Sequence, residues 1–137
     1  MRVIAVGSAF SIVAATAVPY TWPPVRYGLG DLVLVPGRGG MGDLAQILAA
    51  PGSLAAILLA ANVLLYIPLT LAAAVGWPQR SATILLAALL LSLSVETVQY
   101  LVLERVAATD DVILNMTGAV MGLAAGIAIR NQLSERD

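Results

Sequence analysis

The sequence predicts an all-α membrane protein, a four-helix transmembrane bundle with both termini on the cytoplasmic side. Of its 137 residues, 60% are hydrophobic and 11% are charged, against about 25% charged in an average soluble domain. Asp, Glu, Lys and Arg are absent from residues 3–25, 44–79, 81–95 and 112–129. A helix needs about 20 mostly apolar residues to cross about 30 Å of hydrocarbon, so these stretches indicate membrane spans within a single domain, residues 1–137.

The first predicted span covers residues 3–22 and ends at Tyr20 and Trp22, aromatic residues that favour the headgroup level. A cleavable signal peptide is the alternative, because Ala15-Thr16-Ala17 fits a small-x-small cleavage site and Arg2 supplies a positive start.

Residues 23–52 are predicted to form a loop, because glycine and proline recur along them. Within this loop Met41–Ala50 predicts one short helix at the membrane interface, with Leu44, Ile47 and Leu48 on one face. The loop is therefore placed outside the hydrocarbon core.

The other three spans are predicted over residues 53–75, 81–103 and 111–130. Ser53 is a suitable N-cap for the second span, and Thr109 or Asp110 for the fourth. Arg130 is expected to end the fourth span, where a cation suits the helix dipole.

The arginines determine the predicted orientation, because positive residues accumulate on the cytoplasmic side of a membrane protein. The side that holds the termini receives Arg2, Arg80, Arg130 and Arg136, and the other side receives Arg26, Arg38 and Arg105. Two of the latter lie in the long loop, where they count for less. We therefore expect a multi-pass membrane protein with cytoplasmic termini.

Composition excludes several kinds of chemistry. The chain has no Cys and no His, which removes disulfides, thiolate chemistry, ordinary zinc sites and catalytic triads. A net charge of −1 and the lack of a basic stripe argue against nucleic-acid binding. We expect no cofactor, no resident metal and no nucleic-acid partner.

Glu96 is the one carboxylate well inside an apolar segment. A charge at mid-bilayer costs about 2.5–3.5 kcal/mol on insertion scales, so such residues face the bundle interior and mark a site. Gln99 and Ser92 share its helix face. Amides and hydroxyls also serve as interhelical contacts worth about 0.6 kcal/mol each, but such contacts do not require a carboxylate.

The fourth span carries a second stripe. Asp111, Asn115, Gly118, Gly122 and Gly126 recur at intervals of three or four residues and share one helix face. The three glycines are expected to be packing positions that let another helix backbone approach.

Hairpin geometry brings the polar residues of different spans together. A turn midway between the third and fourth spans places Gln99 level with Asn115 and Glu96 level with Gly118, whose missing side chain leaves room for the carboxyl group. The preceding hairpin places Asn62 within one turn of Glu96. We expect one polar layer and a pocket that opens to the outer side.

The positions of four further residues complete the prediction. Pro68 is expected to bend the second span and to free the carbonyl group of Leu64. Arg105 and Asp111 are expected at the outer edge, and Asp110 in solvent.

These linked residues resemble the VanZ-like family signature E-x-x-Q, R, D-x-x-x-N-x-x-G-x-x-x-G. The matching positions are Glu96, Gln99, Arg105, Asp111, Asn115, Gly118 and Gly122. Asn62, Pro68 and Leu69 resemble the family segment N-x-x-x-F-x-P-L-G, with Tyr66 in place of Phe and Thr70 in place of Gly. The resemblance implies a small bacterial inner-membrane protein, from a family whose namesake is associated with low-level teicoplanin resistance.

The leading hypothesis is a non-enzymatic protein of the cell envelope that binds a lipid-linked or amphiphilic ligand, such as a cell-wall precursor or a lipoglycopeptide. The expected contacts are Asn62, Glu96, Gln99, Arg105, Asp111 and Asn115. Arg105 suits an anionic group, because its guanidinium fork is planar and always charged. Membrane lipids and a second copy of the chain are the other expected partners.

Three alternatives stay open. In an intramembrane hydrolase or transferase, Glu96 would be the general base, and Asp111 and Asn115 would hold a divalent cation. In a scaffold protein, the glycines of the fourth span would receive a partner helix. Proton-coupled transport is less attractive, since four short spans without internal repeats do not resemble a transporter.

Overall fold

The computed structural model describes residues 2–4, 6–8, 12, 32–38, 49–102 and 107–135. The described elements are, in chain order, β1 (Leu32–Val33), α1 (Leu54–Gly76), α2 (Ser81–Val102), β2 (Ala107–Ala108) and α3 (Thr109–Ser134). The three helices are each long and apolar enough to cross a membrane. The predicted helical membrane protein is thus confirmed for the second, third and fourth spans.

The N-terminal part of the chain is described at fewer positions. Residues 3, 4, 6–8 and 12 of the first predicted span are helical. Ile12 is fully buried and packs with Tyr66, Ala88, Val95 and Ala119 in the main apolar core. Arg105, most of the loop 23–52 and the predicted helix Met41–Ala50, except its last two residues, lie outside the described residues.

The ends of the helices follow from local chemistry. Ser53 caps α1 as predicted, because its hydroxyl oxygen accepts the backbone N–H of Ala56 at 3.2 Å. The prediction for α3 is wrong at both ends. Ala108 occupies the N-cap position without a side-chain cap, and the helix continues past Arg130 to Ser134.

α3 packs closely on α1 along its three glycines. The backbone carbonyls of Val63, Ile67 and Leu71 lie where side chains at Gly118, Gly122 and Gly126, respectively, would project. We call this interface the glycine seam. The residue numbers of the contacting pairs rise together along both helices, so α1 and α3 run parallel. The expectation that Gly118 leaves room for Glu96 is wrong, because the backbone of α1 fills that space.

A short parallel β-pair joins the first loop to the start of α3. Leu32 pairs with Ala107 and Val33 with Ala108. The backbone N–H of Gly37 then donates to Asp110 Oδ1 at 2.8 Å. Asp110 is 1% exposed, so its expected position in solvent is wrong. The all-α prediction omitted this β-pair.

Pro68 lies inside α1 on its exposed face. Proline has no backbone N–H, so the carbonyl group of Leu64 lacks its usual helical hydrogen bond. Leu64 is also on the exposed side of the helix. A buried hydroxyl close by, that of Thr70, donates to the carbonyl oxygen of Tyr66 at 3.0 Å. The helix is continuous through Pro68 and has a side-chain hydrogen bond on its inner face close by.

Candidate functional site

Glu96 lies near the end of α2 and is 7% exposed. Its Oε2 accepts the backbone N–H of Ala108 at 3.1 Å. Ala108 has this N–H available because β2 is extended and precedes the first turn of α3. A buried carboxylate is costly unless it is hydrogen-bonded, and this bond offsets part of that cost. The chain thus holds an acid inside the bundle against the strand that enters α3.

Asn115 bonds to α2 at a different level from the predicted one. Its Nδ2 donates to the hydroxyl oxygen of Ser92 at 2.9 Å, and both residues are buried. The predicted partner, Gln99, lies seven residues further along α2 and is also buried. The predicted level pairing of Gln99 with Asn115 is therefore wrong.

The shift in register has a physical cause in β2. An extended residue advances the chain about 3.3 Å and a helical residue about 1.5 Å. The hydrogen bond from Ala108 to Glu96 places the end of β2 at the level of Glu96. The chain has therefore re-entered the bundle as an extended strand before α3 begins. Asn115 consequently lies deeper than a symmetric helical hairpin would place it.

Asn62 forms a separate link between α1 and α3. Its Nδ2 donates to Asp111 Oδ1 at 2.6 Å. The predicted polar residues therefore lie in one region of the bundle, but they form distinct pairs. Asn62 joins Asp111, Asn115 joins Ser92, and Glu96 contacts Ala108.

Tyr66 belongs to the same region, although the sequence analysis noted it only as a replacement for Phe. Its ring is in the apolar core, and its hydroxyl group is buried near Ser92. Within the described part of the chain that hydroxyl group has no partner with hydrogen-bond geometry. The sequence signal that could have identified it is the hydroxyl group of Tyr66 in the middle of a mostly apolar helix.

A cleft of about 320 Å³ lies beside Glu96. Its walls come from the first loop, α2, β2 and the start of α3, and most of the lining side chains are apolar. They include Leu32, Leu34, Leu93, Tyr100, Leu101 and Val112. We call it the Glu96 cleft. Among the described residues that line it, Glu96 is the one predicted ligand contact; Asn62, Gln99, Asp111 and Asn115 do not line it.

The two residues that the enzyme hypothesis assigns to a cation are each hydrogen-bonded to another side chain. Asp111 and Asn115, the expected ligands of that cation, bond to Asn62 and Ser92. The described ranges contain no group of three or more acidic residues that could hold a metal ion. Within the described residues, Glu96 is a buried hydrogen-bond acceptor on the wall of a mostly apolar cleft.

Three apolar helices with an acid enclosed between them define a small helical membrane protein. The VanZ/LLP1 family model matches residues 8–130, which is most of the chain. The protein therefore belongs to the VanZ-like family, as the motif resemblance indicated. Neither curated protein sequences nor solved structures contain a significant match to it.

Proposed function

We propose that this chain is a multi-pass protein of the bacterial inner membrane, with cytoplasmic termini, that binds a lipid-linked or amphiphilic ligand in the Glu96 cleft. The observation that carries the proposal is that a buried carboxylate lines a cleft whose other walls are mostly apolar. Ligand pockets commonly combine an apolar lining with one or two polar groups, and their volumes start at about 300 Å³.

The chemistry of the cleft defines which part of a ligand it would hold. Leu93, Leu101 and Val112 provide apolar surface for an acyl or prenyl chain. Glu96, when ionised, only accepts hydrogen bonds, so the group next to it would be a hydroxyl, an amide N–H or an amine. Arg105 keeps its proposed role at an anionic group of the same ligand.

The other predicted contacts take a supporting role in this proposal. Asn62, Asp111 and Asn115 are engaged in hydrogen bonds between helices. They would hold α1, α2 and α3 in the arrangement that keeps the cleft open. Gln99 is buried on the same helix as Glu96 and does not line the cleft.

Native mass spectrometry of the protein extracted in a mild detergent tests the proposal. We expect a co-purified amphiphile on the wild type, and its loss from Leu93→Trp, which fills the cleft, and from Glu96→Gln, which removes the charge. Leu90→Trp is the matched control, since Leu90 is exposed on the same helix and does not line the cleft. Equal retention in all four proteins would refute the proposal.

We also propose that ligand binding in this cleft contributes to the protection of cells against glycopeptides. Glu96→Gln and Arg105→Ala should abolish any protection against teicoplanin while the protein stays abundant in membranes. If protection persists in both variants, resistance does not depend on this cleft. Turnover of an added lipid-linked substrate that Glu96→Gln abolishes would instead favour the hydrolase or transferase alternative.

A further inference from the structure

A second groove lies between α1 and α2, at the end of α2 opposite the Glu96 cleft. Its volume is about 440 Å³, larger than that of the Glu96 cleft. Leu69 and Ala73 of α1 and Ile84, Ala87 and Leu91 of α2 form its apolar walls. The groove runs from the buried part of the two helices towards the turn that joins them.

The mouth of the groove has the chemistry of a membrane interface. Trp77 and Arg80 line it, and Arg80 is exposed. Trp residues favour the headgroup level, where one face is apolar and the other is wet. The acyl chain of a lipid would therefore lie along the apolar walls, and its headgroup would lie at the mouth, beside Trp77 and Arg80.

Positive charge at this mouth is not neutralised within the described residues. Arg80 forms no ion pair with the described part of the chain. Arg2 lies over the Trp77 ring, with its guanidinium carbon 5.3 Å from the ring centre, and donates from Nε to the carbonyl oxygen of Gly76 at 3.2 Å. Two arginines therefore stand at one rim, and an anion would complement them.

We propose that this groove binds one phospholipid with an anionic headgroup, its acyl chain between Ala73 and Ala87 and its phosphate at Arg80. Basic pockets between transmembrane helices commonly recognise anionic headgroups, and each basic residue contributes a factor of about five in affinity. A free phosphate ion would leave the apolar walls exposed, so the groove matches a lipid rather than an ion. The proposal does not depend on Glu96.

The test measures retention of added lipid by the full chain in a neutral detergent, using native mass spectrometry. We expect phosphatidylglycerol to be retained over phosphatidylcholine, and Arg80→Gln to weaken that retention about fivefold. Ala87→Trp, which fills the groove from an exposed position, should abolish it. Ala124→Trp and Arg130→Gln are matched controls outside the groove and should retain the lipid.

Three outcomes would overturn the proposal. Equal retention of both lipids with no effect of Arg80→Gln would remove the headgroup site. Full displacement of the lipid by glycerol phosphate would show that an ion alone is bound. Loss of phosphatidylglycerol in Leu93→Trp but not in Ala87→Trp would place the lipid in the Glu96 cleft instead.

Discussion

α3 meets α1 mainly through glycines, with one side-chain hydrogen bond between Asn62 and Asp111, and meets α2 through hydrogen-bonding side chains. In the glycine seam the partners are backbone carbonyls that approach Gly118, Gly122 and Gly126 directly. We call the other interface the polar seam, formed by Ser92 and Glu96 of α2 with Asn115 and Ala108. Helices in lipid can associate by close packing of small residues, as they do along the glycine seam. The carboxylate of the polar seam is therefore the feature that packing does not explain.

The largest expected effect is the loss of the glycine seam in Gly118→Leu. A side chain there would overlap with the carbonyl oxygen of Val63, and a helix backbone cannot yield as a flexible side chain can. We expect a loss of about 3 kcal/mol or more in the free energy of unfolding, measured by denaturant titration in detergent. Val120→Leu, an exposed neighbour on α3, is the control. Equal stability of the two variants would show that the seam is looser than described.

The polar seam should respond less strongly. Asn115→Ala leaves the buried hydroxyl of Ser92 without its amide partner, and we expect a loss of about 1–2 kcal/mol in the same titration. Asn131→Ala, exposed near the end of α3, should change little. A larger loss in Asn115→Ala than in Gly118→Leu would reverse the ranking of the two interfaces.

A double-mutant cycle separates the hydrogen bond from the other effects of each change. Ser92→Ala and Asn115→Ala should couple by about 0.6 kcal/mol, the average for such pairs in membranes. Ser92→Ala and Gly126→Ala act in different interfaces and should add within about 0.5 kcal/mol. Coupling in the second pair but not in the first would mean that the seams are not independent.

The smallest expected effect belongs to Ser94→Ala. The Ser94 hydroxyl is exposed and donates to the carbonyl oxygen of Leu90 in its own helix at 2.7 Å. Its removal should change the free energy of unfolding by less than about 0.5 kcal/mol. Ser92 is buried two residues away on the same helix. The difference in stability loss between Ser92→Ala and Ser94→Ala measures the contribution of a hydrogen bond between helices. A loss as large as that of Ser92→Ala would assign the effect to local helix structure.

The helices could be predicted because their signals are local. Long apolar runs indicate spans wherever the chain goes, and Ser53 caps its own helix. The glycine spacing likewise predicted a close approach, but not which helix approaches. Gly118 was expected to face Glu96, and the partner is instead α1, which the sequence alone does not order around α3.

The site could be predicted only in part, because its remaining walls depend on distant pairing. Glu96 can be identified from the free-energy cost of placing a carboxylate in the bilayer, because that cost depends on this residue alone. The cleft also needs Leu32 and Leu34, and their position follows from a β-pair of two residues per strand with Ala107 and Ala108. Strands this short have no alternating pattern to recognise. The same β-strand shifted Asn115 from Gln99 to Ser92.

The β-pair between Leu32–Val33 and Ala107–Ala108 also constrains the order of assembly. During synthesis the first strand leaves the ribosome long before its partner, with α1 and α2 still to be made. Leu32 and Leu34 can take their places beside Glu96 only after the chain has reached α3. The wall of the cleft is therefore completed late, and a chain truncated before β2 would have the earlier helices but an incomplete cleft.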